Sequence, residues 1–443
     1  MRIRPARLVR GMLRVPGDKS VSHRAAILAA LASGPTRISN FSTSADCAAT
    51  LRCLEQLGVR VRREGTSVLI EGAGLALPHG PTASLDCGNS GTTMRLLAGV
   101  LAGQNFNATL TGDASLRSRP MRRIIAPLEL MGARISSHEG CAPLVIEGRG
   151  ALRAIEYVMP VASAQVKSCV LLAGLNARGR TTIIERRGAT RDHTERLLEW
   201  FGIEIEKTTG EAARDEQSFT PALSLSGGQT PRARDVEVPG DISSASFFMI
   251  AAVLLANSEL RIEGVGLNPT RTQLIDTLHS LGANVDVENE TTRSNEPVGE
   301  IVVRGAGPLA PARDGANVLR GSMIAGLIDE LPILAVAGTQ VDGGVTIRDA
   351  AELRVKETDR VRAVCENLRA MGAQVEEYED GLFVHGRTTL RGARVKSHGD
   401  HRIAMAFAVA ALIAEGETEI EGADCVAVSF PEFFRLLESV IER

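Results

Sequence analysis

The sequence predicts an α+β protein made of six copies of one β-α-β-α-β-β module, enough for two domains of three modules each. Three observations carry this. First, a helix-like segment that closes on glycine and runs into a short alternating strand occurs five times: Leu54–Val61, Leu128–Ile135, Leu198–Ile205, Leu278–Val285 and Leu368–Val375. The glycines (Gly58, Gly132, Gly202, Gly282, Gly372) fall 74, 70, 80 and 90 residues apart. That spacing is too long for a solenoid of small units and suits a larger module. Second, glycine at the end of each helix suits a left-handed C-cap that turns the chain into a strand. Third, a strand and a polar loop precede each of these helices. The strands begin at Thr36, Ala108, Thr181, Leu260 and Val345, and a sixth at Thr418 leads to the C-terminal helix without a closing glycine.

Composition narrows the function. The chain has 443 residues, 44% of them apolar, with 50 basic against 53 acidic side chains. Cores of useful size are therefore available, while no global field favours nucleic acid or an anionic membrane. Few aromatic residues (Phe 11, Tyr 2, Trp 1) argue against stacking platforms for single strands. The apolar runs Ala251–Ala256 and Ile333–Ala337 are too short to cross a bilayer. No apolar run of signal-peptide length follows Met1. Seven scattered cysteines without C-x-x-C fit reduced, mostly buried thiols and a cytoplasmic protein. No clustered Cys/His set exists, so no structural zinc is expected; no other metal and no cofactor is expected either.

The polar loops differ between copies, and that is how a repeated scaffold acquires one site. Leu353–Arg360 (L-R-V-K-E-T-D-R) is expected to span a loop and the first turn of a helix, with Lys356 and Arg360 on one face. A bound anion would relieve their repulsion, and Glu357 lies between them as an acid or base. Taken alone, the same stretch also reads as a solvated, salt-bridged helix start. Arg119, Arg191, Arg271 and Arg360 stand at the helix starts of loops two to five. Three glycine-rich segments (Pro16–Arg24, Cys87–Arg95, Pro239–Ser246) read as loops before helices at Ala25–Leu31, Leu96–Leu101 and Phe247–Leu255. Loops that feed helix N-termini bind phosphate or carboxylate. Neither a Walker loop nor a G-x-G-x-x-G fingerprint after a strand is present.

Taken in order, P-G-D-K-S-V-S-H-R from Pro16, C-G-N-S-G-T-T-M-R from Cys87, R-P-M from Arg119 and S-A-Q-V-K from Ser163 form a distinctive set. P-G-D-I-S-S-A from Pro239, D-E-L-P from Asp329, L-R-V-K-E-T-D-R and D-H-R-I-A-M from Asp400 complete it. Together they resemble the 5-enolpyruvylshikimate-3-phosphate synthase family over essentially the whole chain, in its class II branch. The resemblance implies the enolpyruvyl transferase fold, a two-lobed inside-out barrel of six βαβαββ repeats, three per lobe. It also implies a discontinuous first lobe (1–18 and 241–443) and a second lobe (19–240), with hinges near 17–20 and 239–242. The lobes would close on substrate by induced fit, and the protein would be a monomer.

The implied reaction moves the enolpyruvyl group of phosphoenolpyruvate to the 5-hydroxyl of shikimate 3-phosphate and releases phosphate. On this resemblance Asp329 accepts the hydroxyl proton, while Glu357 and Lys19 handle proton transfer at the enolpyruvyl carbon and the leaving phosphate. Phosphoenolpyruvate falls to Lys19, Gly91, Arg119, Gln165, Arg360 and Arg402. Shikimate 3-phosphate falls to Lys19, Ser20, Arg24, Ser163, Ala164 (through its backbone), Gln165, Arg191, Asp329 and Lys356. Read alone, Asp329-Glu330 is an acidic helix cap, His193 and His401 are structural imidazoles, and Lys167 is a surface lysine. Val428 stands where some members carry a lysine, and loop three lacks the S-K-P-Y of the other branch. Two alternatives accompany this reading. One is the sister transferase acting on UDP-N-acetylglucosamine, which usually has a loop cysteine that is missing between Gln104 and Pro120. The other is a non-catalytic anion binder on the same scaffold.

Overall fold

The module around Gly132 shows the plan. Strand Leu85–Asp86 leads into helix Gly91–Ala102, strand Ala108–Thr111 and helix Arg122–Leu130, then into the hairpin Arg134–His138 and Cys141–Glu147. Within the sheet the first strand lies parallel to the second, the second antiparallel to the fourth, and the fourth antiparallel to the third. The same order recurs for Glu156–Val158, Arg180–Ile184, Ala222–Ser226 and Ile205–Thr208, and for Val318–Leu319, Val345–Ile347, Gly381–Val384 and Val375–Tyr378. This computed structural model describes residues 1–148, 150, 152–186, 189–208 and 222–443.

The remaining modules borrow strands from distant sequence. Val236–Glu237 supplies the parallel edge beside Ser33–Ser39, and Leu8–Leu13 lies parallel to Glu259–Gly266. Thr418–Glu421 pairs with Arg394–Lys396 and, antiparallel, with the N-terminal Arg2–Ile3. The sixth module is thus completed by the first strand of the chain, so its helix needs no glycine leading into a hairpin. The six-module expectation holds.

The chain folds as two units. One comprises Met1–Pro16, Pro239–Thr292 and Pro297–Arg443; the other comprises Gly17–Val238 with Arg293–Glu296. Each has its own core. In both, the first helix of each module is buried along nearly its whole length. In the first unit these are Ile242–Leu254, Leu331–Gly338 and His401–Leu412; in the second they are Lys19–Leu31, Gly91–Ala102 and Ala164–Gly174. An apolar, small-residue composition all round the helix is what such a place requires. Gly99 makes the point, because a Cβ there would lie 2.2 Å from the Cys169 carbonyl oxygen of the adjacent central helix. The second helix of each module buries only a stripe, as Val361, Val364 and Leu368 do on Arg360–Ala370. In the first unit Phe433 packs edge to face against Phe247, Phe248 and Phe430, with ring centroids 5.6–5.8 Å apart, and Phe248 meets Phe430 at a tilt. Burying each such ring stabilises the unit by about 1.5–3 kcal/mol.

The five repeat glycines all have positive φ, from 79° at Gly202 to 98° at Gly132, as the C-cap reading requires. The glycine-rich segments, however, are shorter as loops than expected. Their helices start at Lys19, Gly91 and Ile242, because Asp18, Ser90 and Asp241 act as N-caps and accept from Val21, Thr93 and Ser243 backbone N–H groups. Leu353–Arg360 also departs from expectation. Ala351–Val355 is a short 3₁₀ turn, the backbone leaves helical geometry at Lys356 (ψ −149°), and the α-helix begins at Arg360 behind the Asp359 cap. Lys356 and Arg360 therefore do not share a helical face.

Candidate active site

In the second unit the candidate residues gather where the central helices begin. Lys19 opens the first of them, and its Nζ lies 2.8 Å from Asp46 Oδ2. Arg24, one turn on, is buried. Its Nε donates to Thr194 Oγ1 (2.6 Å), one terminal nitrogen to the Ser20 carbonyl (2.9 Å) and the other to Ser168 Oγ (2.9 Å). Burial pushes the Arg24 guanidinium down to about 10, against the opposing pull of Glu195 and Asp18; nearby Arg191 adds to the lowering. Ser163 caps the third helix, so Ala164 and Gln165 occupy its first turn. Gln165 accepts from Arg95 (2.6 Å) and donates to Thr92 Oγ1 (3.0 Å). Buried Arg119 donates to Asn89 Oδ1 (2.6 Å) and Ser115 Oγ (3.2 Å). Gly91 lies beneath both arginines: a Cβ there would come within 2.7 Å of an Arg95 nitrogen and 3.5 Å of an Arg119 nitrogen.

Two side chains of this unit differ in outcome. His193 is buried and hydrogen-bonded, with Nδ1 2.7 Å from Glu296 Oε1. Lys167 is not a surface lysine. It is buried among Glu185 (3.2 Å), Glu195 (2.6 Å) and the Thr190 carbonyl (3.2 Å). The sequence concealed this because its partners stand 18 and 28 residues further along the chain.

In the first unit the candidates surround Arg360, whose side chain is 2% exposed. Its Nε donates to Asp400 Oδ2 (2.7 Å) and a terminal nitrogen to Glu357 Oε2 (2.5 Å), while Asp329 Oδ1 lies 3.9 Å away. Burial alone would lower its pKa, but Asp400, Glu357 and Asp329 outweigh that and raise it. Arg402 donates to the Asp329 carbonyl (2.9 Å), with its Nε 3.6 Å from the Asp329 carboxylate. Asp400 also accepts from the Arg402 backbone N–H (2.8 Å), capping the third central helix of this unit. Lys356 lies further out, paired with Glu352 at 3.1 Å. Val428 ends a 3₁₀ turn at Ala423–Val428 and is half-buried.

Chemically, the first unit offers two partly exposed carboxylates oriented by buried guanidinium groups. Hydrogen-bonded guanidinium forks of this kind suit phosphate and carboxylate recognition. The second unit offers a lysine and several arginines around three helix N-termini, where backbone N–H groups also favour anions. Among the described residues no His, Cys, Asp or Glu cluster is arranged to hold a metal ion, and no helix is long and apolar enough to cross a membrane.

A sequence model of the family described as EPSP synthase (3-phosphoshikimate 1-carboxyvinyltransferase) matches residues 3–437. The chain belongs to the EPSP synthase family. Relatives named 3-phosphoshikimate 1-carboxyvinyltransferase include one from Koribacter versatilis, 51% identical over 100% of this chain and 99% of its own. Another from Salinibacter ruber is 50% identical over 98% of this chain and 97% of its own. A solved EPSP synthase from Acinetobacter baumannii superposes with TM-score 0.85 at 39% identity, covering 99% and 98% of the two chains. The enolpyruvyl transferase NikO from Streptomyces tendae shares the fold (TM-score 0.77, 20% identity, 99% and 96% coverage). The chain is thus an enzyme of the EPSP synthase family with the enolpyruvyl transferase fold.

Sequence reasoning passed over several partners that this member of the family uses to hold its candidate residues. Asp46, Arg95 and Asn89 support Lys19, Gln165 and Arg119, and Asp400 supports Arg360. Arg95, Asn89 and Asp400 stood inside quoted motifs, so a signal was present.

Proposed function

We propose that the chain transfers the enolpyruvyl group of phosphoenolpyruvate to the 5-hydroxyl of shikimate 3-phosphate, with Asp329, Glu357 and Lys19 as its catalytic residues. The observation that carries this assignment is the arrangement about Arg360. One buried guanidinium orients Glu357 and adjoins Asp329, so two carboxylates capable of proton transfer stand among cations that suit an anionic cosubstrate.

Asp329 accepts the proton of the 5-hydroxyl as its oxygen bonds to the central carbon of phosphoenolpyruvate. A proton delivered to the methylene carbon completes a tetrahedral adduct. Loss of a proton from that carbon and departure of phosphate restore the enol ether. Glu357 and Lys19 carry these proton transfers. Arg119, Arg360, Arg402, Gln165 and Lys19 hold phosphoenolpyruvate, and Gly91 allows close approach. Lys19, Ser20, Arg24, Ser163, Ala164, Gln165, Arg191, Asp329 and Lys356 hold shikimate 3-phosphate. The chain acts as a cytoplasmic monomer without nucleic acid or membrane, and movement near 17–20 and 239–242 brings its residues to the substrates. The near-balanced charge of the chain supports the partner reading.

Phosphate release from phosphoenolpyruvate tests the assignment when shikimate 3-phosphate and UDP-N-acetylglucosamine are offered separately. Release is expected with shikimate 3-phosphate alone. Asp329→Ala and Glu357→Gln should each lower kcat by about a hundredfold or more, the usual weight of a proton-transfer group. Release with the UDP sugar, or full turnover in either variant, would refute the assignment.

A further inference from the structure

Lys167 has no role in the chemistry above, yet its side chain is only 1% exposed. A charge is withdrawn from water at high cost unless partners hold it, and here they do. Its Nζ donates to Glu185 Oε2, Glu195 Oε1 and the Thr190 carbonyl. The other Glu185 oxygen accepts from both the backbone N–H (2.9 Å) and the hydroxyl (2.6 Å) of Thr190. Thr190 is therefore fixed at three atoms, and Arg191 is the next residue. Beyond Arg191, His193 meets Glu296, and Thr194 bonds both Arg24 Nε and Ser168 Oγ at 2.6 Å. Lys167 and Ser168 themselves lie on the helix whose first turn carries Ala164 and Gln165. Arg191 is thus flanked on both sides by residues tied to that helix or to Arg24.

We propose that Lys167 is a positioning residue for shikimate 3-phosphate, its buried ion pairs with Glu185 and Glu195 fixing the residues that present Arg191 and Arg24 together. This rests on the reading of Arg191 and Arg24 as ligands of that substrate. Because the ties reach Arg191 and Arg24, loss of Lys167 weakens the hold on shikimate 3-phosphate more than it slows the chemical step.

The test is steady-state kinetics with each substrate varied in turn. The variants are Lys167→Met and Lys167→Met/Glu195→Gln, each with and without Arg191→Ala, with thermal melting as the check on folding. The double variant removes the lysine together with one of its carboxylates, so less charge is stranded. KM for shikimate 3-phosphate is expected to rise by about tenfold to a hundredfold, the weight of one hydrogen bond to a charged group. The kcat and the KM for phosphoenolpyruvate should stay within about twofold. Adding Arg191→Ala should cost little more than Arg191→Ala alone, since both changes remove one coupled contact. Equal rises in both KM values, a fall in kcat alone, or additive losses would overturn the proposal. Failure of both variants to fold would make Lys167 a folding element and reject the positioning role. Arg191→Ala separates the two failures. No rise in KM for shikimate 3-phosphate there removes the underlying reading, whereas a rise there with none in the Lys167 variants removes this proposal alone.

Discussion

The two units share one modular plan but hold one buried arginine each, Arg360 and Arg24, in opposite ways. In the first, Arg360 is hydrogen-bonded to Asp400 and Glu357 and adjoins Asp329, and these carboxylates raise its pKa despite burial. In the second, the hydrogen bonds of Arg24 run to two hydroxyls and a carbonyl. The difference has a physical meaning. A guanidinium among carboxylates is a fixed fulcrum that orients acids, while one held by neutral acceptors keeps more of its field for a bound anion. The same scaffold can therefore present acids in one unit and positive charge in the other.

Breaking the two arginines should expose this contrast most strongly. Arg360→Met strands buried Asp400 and is expected to cost about 3–5 kcal/mol in denaturant unfolding. Arg24→Met leaves mainly neutral partners and is expected to cost about 1–3 kcal/mol. Equal losses would mean that the surrounding carboxylates do not distinguish the two sites. A smaller effect should follow Gly91→Ala, which places a methyl 2.7 Å from an Arg95 nitrogen and 3.5 Å from an Arg119 nitrogen. The fold should survive while KM for phosphoenolpyruvate rises about tenfold, the effect of one extra carbon in a close-fitting pocket. An unchanged KM would show that phosphoenolpyruvate makes no close approach at Gly91.

The smallest effect concerns pH. His23 is buried in the second unit, with Nδ1 2.7 Å from Thr50 Oγ1, and burial, then Lys19 and Arg24, hold its pKa well below 6.5. The unfolded chain binds this proton first as pH falls, so the group's stability contribution is present above 6.5 and lost below it. Melting temperature should fall below pH 6.5 and His23→Gln should flatten that slope; an unaltered slope would assign the loss to other groups.

Much of the fold was legible because its signals are local. Gly58, Gly132, Gly202, Gly282 and Gly372 mark chain reversals that need positive φ, whatever lies around them. The helix starts at Lys19, Gly91 and Ile242 were read too late, because serines and glycines that resemble loop residues are also what closely packed central helices require. Gly99, pressed against the Cys169 carbonyl, shows the same demand. Periodicity failed at Lys356, where a 3₁₀ turn interrupts the pattern it assumes. Burial of Lys167 and the Asp46–Lys19 pair depends on residues distant in sequence, so spacing could not reveal them.

The division of labour is tested most directly on Glu357→Gln, by calorimetric titration with shikimate 3-phosphate and phosphate release from the same preparation. Binding should remain within about threefold of the unaltered protein while turnover falls by about a hundredfold or more. Loss of binding in step with turnover would place Glu357 among the groups that hold the substrate and contradict the account.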